Sequence, residues 1–181
     1  MRKISLAIHG TPPGGPAGVS WIGMLILLSA MSSAAASAPE VVLSVNNAGP
    51  RAVEPLTERG LLRDYTFAWS SLALALESSS EGPLNGLFVG NAGDWLHEAV
   101  KHQEKNGLTS RYLNQSHKVE AVFYAPEGDV IELHDLAEYD YEIVDAGKVV
   151  HNEHATVHYV VLMTPGADRW VVRQLQSVQQ F

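Results

Sequence analysis

Between Asp129 and Gln179 the sequence alternates with a period of two for long enough to commit the chain to three consecutive antiparallel strands. From Ile131 to Ile143 the odd positions are Ile131, Leu133, Asp135, Ala137, Tyr139, Tyr141 and Ile143, and the even ones Glu132, His134, Leu136, Glu138, Asp140 and Glu142. Successive strand side chains point to opposite faces, so one face is apolar apart from Asp135 and the other is mostly charged. Asp145-Ala146-Gly147-Lys148 supplies a turn, since glycine tolerates the positive φ that a tight hairpin needs. Val157, Tyr159, Val161 and Met163 then resume the apolar face, opposite His154, Thr156 and His158. A second turn at Thr164–Asp168 leads to Trp170, Val172 and Val178, which continue that face. A one-residue bulge at Gly147 makes the apolar faces of the first two strands coincide; it sets Asp135 beside Tyr159 and Asp140 beside His154.

Upstream the period changes to that of a helix. Tyr65, Trp69, Leu72 and Leu76, with Ala68 and Ala75 beside them, form one apolar face from Asp64, read as an N-cap, to Ser78. Ser78–Pro83 ends that helix and starts a short second one through Phe88. Gly90–Gly93 breaks the chain again. A third helix from Asp94 to Asn106 presents Trp95, Leu96, Ala99 and Val100, with Gly107 as C-cap and a solvated face of His97, Lys101, His102, Glu104 and Lys105. Leu108–Asn114 has no clear period, and Val119–Tyr124 reads as a further strand.

The N-terminus has its own order. Arg2 and Lys3 precede a Pro/Gly-rich stretch, an apolar run from Val19 to Leu28 and small residues from Ser29 to Ala38. Basic, then apolar, then small is the order of a secretory signal, and cleavage after Ala36 fits the small-residue rule. The alternative is an uncleaved anchor, because Val19–Ala38 is just long enough to span a bilayer of roughly 30 Å. Either way the leading positive charges predict a domain on the non-cytoplasmic side, touching a membrane only if the segment is retained. Pro39–Glu58 lacks a period and carries Asn46, Asn47, Gly49, Pro50 and Pro55, so it reads as a linker. The expected partition is therefore 1–38 signal or anchor, 39–61 linker and 62–181 one folded domain.

Composition narrows function by exclusion. A formal net charge of −8 lacks the basic stripe a nucleic-acid binder needs, and the absence of cysteine removes disulfide and thiolate chemistry. At 181 residues and 46% hydrophobic content, one domain with a substantial core is expected.

Helices gathered before a strand meander imply an α+β fold, with helices covering one face of a curved antiparallel sheet. This element order, the aromatic first helix and the closing strand Asp168-Arg169-Trp170-Val171-Val172-Arg173 resemble the NTF2-like (SnoaL-like, cystatin-like) superfamily. The resemblance covers about Asp64 to Val178 and implies a cone-like fold, but it implies no single function: the superfamily contains isomerases, dehydratases, hydrolases and many binding or scaffolding domains.

Asp135 is the one carboxylate on the apolar face of its strand. A buried carboxylate has its pKa raised and suits proton transfer near neutral pH, which makes Asp135 the candidate catalytic residue. Trp69, Tyr139, Tyr141 and Tyr159 are the candidate binding residues, lining the same cavity and offering hydroxyl donors. The competing reading makes Asp135 a core polar group bonded to Tyr159 or to a backbone N–H. His134, Glu138, His154 and His158 share the polar face, but without a compact ligand motif no metal or other cofactor is assigned to them, and a solvated or dimer-forming face is expected. No G-x-S-x-G elbow or Walker loop is present. The sequence thus favours an exported, non-catalytic domain that binds a small ligand or an envelope protein, through the open end of the cone or through a homodimer formed by its exposed sheet face. A small acid–base enzyme of the isomerase or dehydratase type and a membrane-anchored assembly module are the alternatives.

Overall fold

The computed structural model describes residues 38–181; apart from Ala38, the segment read as a signal or anchor lies outside them. Two helices pack on a six-stranded, mostly antiparallel sheet. The strands are β1 (Glu40–Ser44), β2 (Gly49–Pro50), β3 (Leu108–Tyr124), β4 (Ile131–Asp145), β5 (Lys148–Pro165) and β6 (Trp170–Val178). The helices are α1 (Pro55–Ser78) and α2 (Gly90–Asn106), with a single 3₁₀ turn at Gly82–Leu84 between them. The sheet order is β1-β3-β4-β5-β6, with β2 also beside β3. Among the described residues no helix is long and apolar enough to cross a membrane.

The alternation of β4 and β5 is realised as read: Asp135 pairs with Tyr159 and Asp140 with His154. The extra residue that allows this register is Val150 rather than Gly147. Ile143 pairs with His151 while Val144 pairs with Val149, leaving Val150 unmatched. Ala146 (φ 46°) and Gly147 (φ 79°) are both left-handed, so they are consumed by a two-residue hairpin turn, and the bulge moves into the strand.

Three stretches differ from expectation. The segment 39–61, read as a linker, contains β1 and β2, both parallel to β3, and the first turns of α1. Only Val41 and Leu43 of β1 pack on the core, too few positions to register as a period. α1 begins at Pro55, nine residues before Asp64; its first turns bury no apolar side chain before Leu61, so the apolar period does not mark its start. Asp64 is accordingly no cap: it lies inside the helix, 4% exposed, where it accepts the Trp170 backbone N–H at 2.8 Å. α2 starts at Gly90, not Asp94. Gly93 is there for close packing, since a Cβ would stand 2.9 Å from the Phe88 carbonyl oxygen. The short second helix is present only as the 3₁₀ turn at Gly82–Leu84 and does not reach Phe88: Leu87–Val89 runs beside β6, with Val172 N–H donating to Leu87 and Val89 N–H to Val172.

The core lies between α1, α2 and one sheet face: Leu61, Leu72, Leu96 and Val100 from the helices meet Ile131, Leu133, Val161 and Met163 from the strands. β6 covers β5 only from His158 to Pro165, so the hairpin tip around Lys148–His154 stands exposed.

Because β1 completes the sheet, a chain beginning at Asn46 will unfold more readily than the same chain beginning at Ala38. Loss of Val41 and Leu43 removes roughly 3 kcal/mol of burial, to be read as a lower urea midpoint. Equal midpoints would make the segment the linker it resembles.

Candidate functional site

The inner faces of β3 and β4 meet α1 around Asp135. Its alternation with Leu133 and Ala137 turns it inward, where it is 0% exposed. His117 reaches it from β3, on the same face as Val119, and Tyr65 reaches it from α1. The Tyr65 O–H donates to Oδ2 at 2.7 Å and the His117 Nδ1–H donates to the same oxygen at 2.8 Å. A carboxylate only accepts, so this geometry places the imidazole proton on Nδ1. Oδ1 of Asp135 and Nε2 of His117 have no partner. Burial, and then the neighbouring Asp135 charge, push the Tyr65 phenol well above its usual range.

Trp69 closes the cluster. One helical turn beyond Tyr65, its ring lies tilted by 40° against the His117 ring with centroids 4.4 Å apart and meets Tyr159 at 5.5 Å. At 3% and 2% exposed, Trp69 and Tyr65 leave the carboxylate behind a wall of aromatic side chains. Tyr159 in turn shares a 3.0 Å hydroxyl contact with Tyr139, whose ring packs 4.8 Å from Tyr112. Burial raises Tyr112, Tyr139 and Tyr159 alike above the ordinary phenol value.

The structure therefore gathers Asp135, Trp69 and Tyr159, with Tyr139 one contact further out. Tyr141 goes elsewhere. Its hydroxyl meets Ser110 at 2.9 Å, Ser110 donates to Gln103, and Gln103 donates to the Leu76 carbonyl, a chain that ties β4 to both helices. Tyr65 and His117 are the members that sequence reading missed. Tyr65 was visible as a helix-face aromatic but not as a donor. Extending the β3 alternation back from Val119 by two residues points His117 inward.

On the outer face the histidines pair off singly. His154 contacts Asp140 at 2.9 Å and His134 contacts Glu132 at 3.2 Å. Phe181 stacks on His134 at 4.3 Å and lies 4.9 Å from His158. Among the described residues no three His, Asp or Glu side chains converge as metal ligands. A surface groove of about 490 Å³ runs between the start of α1 and the β5–β6 turn, lined by Leu56, Arg59, Arg63 and Trp170 among others; Asp135 is not part of its lining.

No family model and no curated protein matches this sequence. Among solved structures, the chain is similar to the crystal structure of the intermembrane space region of the chloroplast protein ARC6, with a TM-score of 0.56 and 13% identity over 71% of this chain and 98% of that one. The likeness is one of α+β fold.

Two outcomes follow from the buried cluster. Asp135→Ala strands the Tyr65 and His117 donors and is expected to cost about 3 kcal/mol, against about 1 kcal/mol for Tyr65→Phe, both measured by urea unfolding. The raised phenols give a sign for alkaline pH. Their contribution is fully present below the ordinary tyrosine value of 10.0 and is lost above it, because the unfolded chain ionises first. The unfolding midpoint should fall beyond that pH, and less steeply in Tyr159→Phe; identical slopes would contradict the burial.

Proposed function

We propose that this chain is an NTF2-like domain that works outside the cytoplasm as a non-catalytic docking module for a protein partner. The observation that carries the proposal is the enclosure of Asp135. A general base must reach its substrate's proton directly or through one water. Here Asp135 is 0% exposed, its Oδ2 already accepts two internal donors, and Trp69 and Tyr65 lie between the carboxylate and the helix exterior. Such a network holds α1 on the sheet, and the working surface is then the exterior. The basic-apolar-small N-terminus supports a location across a membrane, and the fold's similarity to an intermembrane-space region is in keeping with it.

The enzyme reading keeps one observation in its favour. Asp135 Oδ1 and His117 Nε2 are buried polar atoms without partners, and such atoms ask for an explanation. It requires a small substrate that enters by displacing Trp69.

Asp135→Asn separates the two. Expressed in the host at the native level and checked for an unchanged melting temperature, it should retain biological activity; loss of activity from a folded variant would transfer the function to Asp135. For location, a reporter that matures only outside the cytoplasm should be active when fused after Phe181, and a silent but intact fusion would contradict export.

A further inference from the structure

The outward side of α1 is not an ordinary solvated stripe. Leu56, Arg59, Arg63, Phe67 and Leu74 fall within a narrow arc of the helix, since steps of three, four, four and seven residues return close to the same angle. The three apolar members are 76%, 49% and 55% exposed. Large apolar side chains lined up on a surface mark an interaction site more often than isolated ones do.

Beside this stripe lies the groove between α1 and the β5–β6 turn. Its floor is apolar: Gly60 has no side chain to cover the Trp170 indole, which lies 3.7 Å from where a Cβ would stand. Its rim is cationic, with Arg59, Arg63 and Arg169. The two carboxylates in the groove are already committed. Asp64 accepts the Trp170 N–H and bonds Arg63 at 2.7 Å, and Asp168 bonds Arg169 at 2.8 Å. Arg59 has no carboxylate partner among the described residues. The Arg63 side chain is 68% exposed, so its remaining donors face outward. Arg169 extends over the Phe67 ring at 5.7 Å, joining the groove to the stripe. On a chain of net charge −8 this is a local reversal of sign. Arginine and aromatic groups around an apolar floor are also the composition of interface hot spots.

We infer that this face binds an acidic amphipathic segment of another protein, whose apolar side chains lie on Leu56, Phe67 and Leu74 and whose carboxylates meet Arg59 and Arg63. The inference rests on the docking reading above and adds the surface and the partner's chemistry. The chain's own N-terminus does not fit as occupant, because Arg2 and Lys3 carry the wrong charge.

The test uses the purified full chain and a fluorescent amphipathic peptide with glutamates one helical turn apart between leucines. Its glutamine and lysine counterparts and phosphatidylglycerol vesicles serve as comparisons. The glutamate peptide should bind saturably, more weakly with added salt, and about tenfold more weakly to Arg59→Glu or Phe67→Ala. Arg59→Glu should in turn gain affinity for the lysine peptide, which shows that the variant is folded. Equal binding of the glutamine peptide, indifference to Arg59→Glu, no saturable binding, or binding to the vesicles alone would each overturn the surface. None of these outcomes bears on the docking reading, which stands or falls with Asp135→Asn in the host.

Discussion

One oxygen atom joins the two halves of this domain. Oδ2 of Asp135 receives the Tyr65 hydroxyl from α1 and the His117 imidazole from β3, while Asp135 itself belongs to β4. Burying a carboxylate is costly unless its donors are in place, and these donors arrive only when the helix lies at the right depth on a sheet of the right register. A slip of one residue in β4 would turn Asp135 to the solvent face and bring Leu136 in. The pair of hydrogen bonds therefore specifies the docking of α1, and Trp69 completes it by covering His117.

Much of this was legible in the sequence, and the reasons for the rest are local. The β4–β5 register could be read because both strands have one wet and one dry face. Sequence points to Gly147 for the bulge because glycine is the usual carrier of positive φ; Ala146 takes the left-handed conformation as well, which nothing in its side chain announces. β1 was hidden because it contributes two inward side chains and is followed by turn residues. The start of α1 was hidden for a different reason: its first turns face outward, carrying Leu56 and Arg59 instead of core residues. Asp135 is legible as the polar exception on a dry face, whereas His117 precedes the part of β3 that the alternation marks, and the aromatic character of Tyr65 masks its hydroxyl.

The features that sequence patterns handle least well coincide here with the features that point to function. A helix whose inner face packs a core needs no apolar residues on its outer face, yet α1 carries Leu56, Phe67 and Leu74 there. A groove in an acidic protein needs no arginines, yet three line this one. The interior, by contrast, is consistent in its alternation, its aromatic packing and the two donors on Asp135 Oδ2, which agree on one arrangement; Oδ1 of Asp135 and Nε2 of His117 are the exceptions.

The central claim is that Asp135 is sealed inside the domain. The most direct measurement is hydrogen exchange with water, by NMR, of the Tyr65 hydroxyl proton and the His117 Nδ1 proton. A sealed structural cluster predicts resolved, slowly exchanging resonances that leave only with local or global opening. Exchange at the rate of exposed side chains, in a protein that is otherwise folded, would mean that water reaches the carboxylate and would return Asp135 to the role of a working acid or base.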